Sequence, residues 1–510
     1  LYYFLNTKIA INKSGIEHAQ IKRMNLFNEH GVANKIVTRS LVLNATDILK
    51  ASRIPVSNYL NMYDFFRGET IPDKTYNIDD FEIPTSMVMH KKNNEYLLDY
   101  QGKTIQILMT KSDDDRRVDN IRLLSKDGKL VKTSWYDTRG FIGVEEYFDK
   151  NNELSVKEVL APSGKVTCQI FYMSDKQGKV KPSFYQLPNY QGHDLQFNSE
   201  EDLMTFFLDE LAKKDKNVVY IGDRATEYAY SLFSMHERAF KILVLHSSHV
   251  ADNDNPLKSE LNNNFYYSLN HLNCWQTILT STKQQLIDFN NRYHLESKTH
   301  TIPVGNIEQT EKVLFENRRP YSIGLIARLA PEKQQLQAVK AIEKVKSVIP
   351  QVKLHFYGYS NGDYGQKVKK VVNEKHLDKT IIFENYTDSI NDVYKTIQLQ
   401  LLTSSVEGFA MSVLEGLSNG VPQISYDIKY GPKDIITDGE DGYLVKPDDI
   451  DELAEKIINY FNDLNQAKKM SENAYQNSRR YSKNSVYNDW KPLFNQVEKF
   501  YKISSQEVLQ

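Results

Sequence analysis

Glu407-Gly-Phe-Ala-Met-Ser-Val-Leu-Glu415 is the stretch on which the reading of this chain turns. An apolar strand, Ile397 to Leu402, leads into it, and a helix-patterned segment runs through its second half. Eight residues is a little over two helical turns, so a carboxylate at the helix mouth and a second one two turns on share a face. Gly408 and Ala410 between them are small enough to let a ligand approach the amides at the helix N-terminus. Those amides lack partners within the helix and favour negative charge, which suits a phosphate. Ionised carboxylates only accept hydrogen bonds, and sugar and ribose hydroxyls are suitable donors. Together these features describe a nucleotide-sugar site. Taken alone, the same spacing also arises where a strand turns into a helix with a solvated acidic face, so the rest of the chain has to decide.

At 510 residues the chain is too long for one ordinary core, and two to four domains are expected. With 64 basic against 66 acidic residues there is no general nucleic-acid signature and at most peripheral membrane contact. No apolar run approaches the roughly 18 residues that span a bilayer. The start, Leu1-Tyr-Tyr-Phe-Leu-Asn-Thr-Lys8, reads as a first strand rather than a signal peptide. Cys168 and Cys274 are isolated, without metal or disulfide spacing, which fits a reducing cytoplasm.

Tyr2–Leu5 and Ile36–Thr38 read as strands flanking a helix that Ser14 and Glu17 open with capping-box spacing. Gly15 sits at that helix mouth, and Ile16, Ala19, Arg23, Met24 and Phe27 mark its buried face. From about Tyr76 to Leu187 the period changes to two. Seven alternating runs, from Glu95–Tyr100 to Val166–Tyr172, are separated by turn residues such as Asp127-Gly128, and describe an antiparallel meander. α/β patterning resumes with strands Val218–Ile221, Ile242–Leu245 (running into His246-Ser-Ser-His249) and Trp275–Leu279. A second α/β series follows: strand Tyr321–Ala327, helix Pro331–Val348, strand Val352–Tyr357, helix Val368–His376, strand Thr380–Phe383, strand 397–402, strand Pro422–Tyr426 and helix Asp449–Phe461. Ser482–Lys502 is amphipathic. The expected fold class is α/β: two Rossmann-like layers facing a cleft, with an inserted meander. The expected domains are 1–75 with 188–305 as a first Rossmann-like domain on the acceptor side, and 76–187 as the insertion. Residues 306–480 form the nucleotide-sugar domain, and 481–510 a helix crossing back to the first.

Four strand ends in the second block carry polar or glycine-rich signals. Arg328 and Lys333, in Gly324-Leu-Ile-Ala-Arg328-Leu-Ala-Pro-Glu-Lys333, offer a planar fork and a point charge suited to a diphosphate. Tyr357-Gly358-Tyr359-Ser360 and Asn385-Tyr386-Thr387-Asp388 end the next two strands. Tyr357, Gly358, Tyr386 and Thr387 are candidate donor contacts there, the last loop reading the edge of a base. Glu407 to Glu415 ends the fourth.

With these motifs in order, and Gly420-Val-Pro422 and Asp438-Gly439-x-x-Gly442-Tyr-Leu-Val after them, the chain resembles the GT-B retaining glycosyltransferases of family 4. The resemblance covers roughly residues 200 to 480, and Ser14-Gly15-Ile16-Glu17 more loosely. It implies that Arg328 and Lys333 hold the donor diphosphate, that Glu415 takes the ribose hydroxyls, and that Glu407 contacts the transferred sugar. It implies further that the amides of Phe409, Ala410 and Met411, beside Gly408, hold sugar and phosphate, while Ser14 and Gly15 approach from across the cleft. His246 resembles the sugar-site histidine of such enzymes. His249, and Arg224 in Gly222-Asp-Arg, are further candidates. Two cations and a helix end leave no need for a divalent ion, and Asp113-Asp-Asp115 and Asp252-Asn-Asp254 lie in turn-like sequence. No cofactor is expected beyond the donor itself, UDP-glucose or UDP-N-acetylglucosamine.

A narrower resemblance rests on Asn61-Met-Tyr-Asp-Phe-Phe66, Trp135-Tyr-Asp-Thr-Arg-Gly-Phe141, the meander and Ser425-Tyr-Asp-Ile-Lys-Tyr-Gly-Pro432. It is to bacterial enzymes that glycosylate serine-rich adhesins or serine–aspartate repeats, with teichoic-acid glycosyltransferases sharing the layout. This implies a cytoplasmic enzyme acting on Ser/Thr of a serine-rich acceptor protein. It implies a homo-oligomer through the meander or a hetero-oligomer with a related GT-B subunit. Transfer to wall teichoic acid is the alternative within the class. A non-catalytic GT-B chaperone subunit, or an epimerase of GT-B fold, is the alternative outside it.

Overall fold

Short apolar segments, each followed by a helix with one apolar face, close the carboxyl-terminal half of the chain into a parallel sheet. The computed structural model describes residues 1–69, 74–308, 311–360, 362–387 and 389–507, so Asp388 of the third strand-end motif lies outside the described residues. Across the sheet the strands stand in the order Ile381–Glu384, Lys353–Tyr357, Ser322–Ile326, Leu399–Leu402, Gln423–Tyr426 and Gly442–Val445. The chain therefore starts in the middle, steps to one edge, jumps back and steps to the other. The reversal lies between Ser322–Ile326 and Leu399–Leu402, where Ile323 pairs with Leu399 and Gly324 with Gln400. A doubly wound sheet opens a crevice at such a switch point, beyond the carboxyl ends of the two strands. Arg328, Lys333 and Glu407 follow those two strands.

The helix Gln335–Val348 buries Ala338, Val339, Ala341, Ile342 and Val345. Ile450–Asn462 buries Leu453, Ala454, Ile457, Tyr460 and Phe461, and both join one core with the strands. Each large aliphatic side chain there contributes about 1.5–3 kcal/mol. The run from Pro331 to Val348, read from its periodicity as one helix, is broken. Pro331–Lys333 is a 3-10 turn, Gln334 sits at φ +48°, and the helix begins at Gln335. Lys333 thus stands on a turn ahead of the helix.

The chain forms two compact units. Leu1–Ile11, Asn34–Val218 and Glu227–Ala239 make one; Asn12–Ala33, Val219–Thr226 and Phe240–Gln510 make the other. The second holds the sheet just described. It also holds the parallel strands Val219–Gly222, Phe240–Leu245, Thr277–Thr280 and Thr299–Thr301, which pair in that order. The helix Gly15–Glu29 belongs to it as well, opened by the Ser14–Glu17 capping box. The last helix, Lys483–Glu507, packs within this unit on the helix Gly15–Glu29 and on the strand Phe240–Leu245. Trp490 meets Phe27 edge-on at 5.0 Å, Tyr487 stacks on His30 at 3.7 Å, and Phe500 meets Phe240 at 5.3 Å.

The first unit pairs Tyr2–Asn6 with Asn34–Thr38 and that strand with Tyr59–Asn61, all parallel. It also carries a ten-stranded antiparallel sheet whose strands follow chain order from Val88–Lys92 to His193–Phe197. All seven alternating runs marked in the sequence are strands of it. Val88–Lys92, Val180–Tyr190 and His193–Phe197 are additional, so the sheet continues past residue 187. Pro182 and Pro188 mask the second of these, because proline removes a ladder donor. The first is exposed at every residue and has no buried face to alternate.

A buried charge cluster joins this sheet to the parallel layer of the same unit. Arg139 bonds Asp64 at 3.0 Å and Asp137 at 2.7 Å. Arg67, with a fully buried side chain, pairs with Asp64 and donates to the carbonyls of Leu160 and Gly143. Asp64 and Arg139 come from two of the short segments that carry the narrower sequence resemblance, which gives both a structural reason to be there. Arg116 is ion-paired with Asp79, and Arg117 with Asp115 and Asp47.

Candidate functional site

The two strand ends at the switch point are laced together. Lys333 Nζ lies 2.5 Å from Glu407 Oε1, and Ser404 Oγ donates to the same oxygen at 2.7 Å. Thr403 donates to the Lys333 carbonyl at 2.9 Å, and the Ser405 amide to the Glu332 carbonyl at 2.9 Å. Arg328 is held by Glu332, four residues on, at 3.0 Å. A cation, a carboxylate and a guanidinium are thereby fixed at the carboxyl ends of Ser322–Ile326 and Leu399–Leu402.

The helix after Glu407 is shorter than its apolar pattern suggests: it runs from Met411 to Ser418, with Ala410 at φ +62° as its cap. Glu407 lies outside it, so the two glutamates do not share a helical face. Glu415 reaches a different cation, Lys22 of the helix Gly15–Glu29, at 3.2 Å. Lys22 also donates to the Asn306 carbonyl at 3.3 Å.

The loop Glu407–Ala410 is gripped on two sides. A Cβ on Gly408 would stand 2.0 Å from the His246 carbonyl oxygen, so only glycine lets the two backbones meet. On the other side the Tyr430 amide donates to the Glu407 carbonyl at 3.0 Å. Gly431, at φ +112°, lies so close that a Cβ there would be 2.4 Å from the Phe409 carbonyl oxygen. Phe409 and Ala410 are buried with Leu402, Val413, Leu414 and Leu417, which roots the loop in the core. Under the helix, buried Gln400 donates to the Ser412 carbonyl at 3.1 Å.

Gly15 faces Met411, whose Cε would lie 3.8 Å from an added Cβ. Next to it the Ser14 amide donates to Glu17 at 2.5 Å, and Arg224 donates to the Ser14 hydroxyl at 3.3 Å. His246 is bonded through Nε2 to Asp223 at 2.7 Å. Asp223 is fully buried and also receives Arg23 and Gln20. Burial pushes its carboxyl up, but the Arg23 charge and His246 outweigh this and hold it well below the usual carboxylate range.

The remaining candidates stand apart. Gly358, at φ +150°, brings its loop onto the Ala327 carbonyl, and the Ala327 amide donates to the Tyr357 carbonyl at 3.1 Å. The Tyr386 ring lies 5.9 Å from Tyr359 and its hydroxyl 3.3 Å from His18 Nε2. The Thr387 hydroxyl accepts the Ser389 amide of its own loop at 3.0 Å.

His249 is buried in the core, stacked at 6.3 Å on Tyr430 and edge-on to Phe289 at 5.4 Å. Among the described residues neither ring nitrogen has a hydrogen-bond partner. Burial, helped by Arg292, pushes the ring from 6.5 down to about 4. Between those values the unfolded chain binds a proton that the folded chain refuses, so stability falls as pH drops through this window, by about 3 kcal/mol in full. His249→Phe is expected to remove that part of the acid slope in urea unfolding. Identical slopes for the two proteins would refute the assignment.

Asp223 and Lys22 escaped the sequence reading, which placed Arg23 only on the buried face of its helix. One signal was available: Arg23 falls on the apolar face of its helix, and a buried arginine requires an acid. Among the described residues no three His, Cys, Asp or Glu side chains are grouped to hold a metal ion. No described helix is long and apolar enough to cross a membrane.

Residues 306–477 match the family described as "Glycosyl transferases group 1". The chain is 25% identical to the "Poly(glycerol-phosphate) alpha-glucosyltransferase" of Bacillus subtilis (strain 168), over 97% of this chain and 75% of that protein. It is 24% identical to the "UDP-N-acetylglucosamine–peptide N-acetylglucosaminyltransferase GtfA subunit" of Streptococcus agalactiae, over 96% and 97%. Among solved structures, the pneumococcal O-GlcNAc transferase GtfA in complex with UDP and GlcNAc superposes with a TM-score of 0.85 at 21% identity, over 97% of this chain and 98% of that one. The fold is that of the GT-B glycosyltransferases, with an antiparallel sheet inserted.

Proposed function

We propose that this chain, a GT-B protein with a group 1 glycosyl transferase match over residues 306–477, moves glucose or N-acetylglucosamine from a UDP-sugar to Ser/Thr hydroxyls of a serine-rich protein, with retention of configuration. The observation that carries the reading is the Lys333–Glu407 pair at the switch point, one residue before the glycine on which His246 packs. As the glycosidic bond breaks, charge develops on the leaving phosphate. A lysine already fixed by a carboxylate, with Arg328 near it in sequence, supplies preorganised stabilisation of that charge. The amides of Phe409, Ala410 and Met411 at the start of the Met411–Ser418 helix add the helix-end field. Glu407 and His246 then face the sugar, while Ser14, Gly15 and Arg224 border the same space from the Gly15–Glu29 side. The base falls to the loops of Tyr357-Gly358 and Tyr386-Thr387.

Glu415 is assigned the ribose hydroxyls, sharing its charge with Lys22. Glu415→Gln is expected to weaken UDP binding about tenfold, because an ionised acceptor is replaced by a neutral one. The loss should vanish with 2′,3′-dideoxy-UDP; an equal loss with both nucleotides would remove Glu415 from the ribose.

For the acceptor side we assign residues 1–75 and 198–305 to one Rossmann-like domain and 76–197 to an insertion that contacts acceptor or partner, the boundary expected at 187 being moved to the end of the last strand of the sheet. Residues 306–480 are assigned to the donor domain, and the helix Lys483–Glu507 to the returning segment. The word "subunit" in the name of the streptococcal relative supports association with a further chain. Both cysteines are free, which agrees with a cytoplasmic setting. The Bacillus relative, named for poly(glycerol-phosphate), favours a second reading in which the acceptor is a teichoic-acid polymer. Incubation with labelled UDP-sugar and each acceptor separates them. Label on serine-rich peptide is expected, and label confined to polyol phosphate would overturn the first reading.

A further inference from the structure

Asp223 follows the strand Val219–Gly222, and its side chain has no solvent exposure. Its Oδ1 lies 2.7 Å from His246 Nε2 and 2.6 Å from Arg23 Nη2. Its Oδ2 receives Gln20 Nε2 at 2.8 Å and Arg23 Nη1 at 3.2 Å. A carboxylate enclosed by a guanidinium and an amide N–H stays ionised and only accepts, so the proton in the bond to His246 belongs to Nε2. In the neutral ring the other nitrogen then carries a lone pair.

We propose that Asp223 is a positioning residue: it fixes His246 in the Nε2–H tautomer, so that Nδ1 is offered as a hydrogen-bond acceptor to a hydroxyl of the transferred sugar. The proposal rests on the donor-site reading of His246. Two further contacts make the ring a fixed reference point. The His246 carbonyl abuts Gly408, next to Glu407, so ring and carboxylate keep one spacing. Arg23 lies beside Lys22, the partner of Glu415, so one helix braces the histidine and the second glutamate together. An acceptor nitrogen selects a hydroxyl as its donor.

The test uses the full chain labelled with [15N]histidine at about pH 8, with the His246 signals identified by their loss in His246→Gln. Nitrogen shifts of an Nε2–H tautomer are expected; an Nδ1–H tautomer in the unsubstituted protein would overturn the proposal without any variant needing to fold. Asp223→Asn is expected to mix the tautomers and to lower kcat about 30-fold, with KM for the UDP-sugar within about threefold. In the His246→Gln background the same change should cost no more than about twofold, because its effect passes through the ring. A full loss carried over into that background would make Asp223 a purely structural residue. If His246→Gln transfers sugar at the unsubstituted rate, the donor-site role of His246 fails, and the proposal fails with it even where the tautomer is as stated.

Discussion

Lys333→Ala is expected to lower kcat/KM for sugar transfer about a thousandfold while the protein stays folded. Lys333 Nζ is held 2.5 Å from Glu407 and its own carbonyl is tied to Thr403, so its charge is placed without reorganisation. Truncation removes that charge and leaves Glu407, still bonded to Ser404, facing the phosphate it was neutralised against. A point charge lost from a leaving-group site is worth about 4 kcal/mol of barrier, which is the factor given. Stability should change by no more than about 1 kcal/mol, because the turn keeps its backbone bonds. Arg328→Ala should act in the same direction. UDP release in the presence of acceptor, read beside a thermal melt, measures both. Turnover retained in both variants would refute the diphosphate role.

Gly408→Ala is expected to be nearly as damaging, by a different route. The new Cβ would lie 2.0 Å from the His246 carbonyl oxygen and 2.5 Å from its carbon, and neither is the end of a flexible side chain. The loop cannot withdraw the other way, because Tyr430 and Gly431 close on it there. Overpacking of a rigid backbone contact costs about 1–3 kcal/mol, and the two strand ends must separate to relieve it. We expect a loss of at least about a hundredfold in transfer, with UDP affinity falling less, since Arg328, Lys333 and Glu415 stay in place. Unchanged transfer would show that the His246–Gly408 contact does not set the geometry of the site.

The fold was legible where side chains repeat with a period. Ile342 and Val345, or the alternation through Val166–Tyr172, carry their own signal, because burial on one face repeats every 3.6 or two residues. Strands without that signal escaped: Val88–Lys92 has no buried face, and Val180–Tyr190 contains two prolines. The donor-site candidates were legible as strand-end motifs, and Lys333 and Glu407 do meet. What was not legible is which charge pairs with which. Eight-residue spacing suggested one shared face for Glu407 and Glu415, but Ala410 in the left-handed region starts the helix only at Met411. Each glutamate then finds a separate cation, one of them 393 positions away in sequence at Lys22, where no local period reaches. Asp223 was passed over for its neighbour Arg224 because polar residues after a strand do not announce which one turns inward. His249 shared a motif with His246 and went into the core, where a neutral ring packs between Tyr430 and Phe289.

The donor diphosphate is assigned to the space between Arg328, Lys333 and the start of the Met411–Ser418 helix. A crystal structure of the chain with UDP tests it most directly. The β-phosphate is expected within hydrogen-bond reach of Lys333 Nζ and of amides in Phe409–Met411, with the ribose hydroxyls on Glu415. UDP bound elsewhere, with the Lys333–Glu407 pair and the Glu415–Lys22 pair untouched, would contradict it.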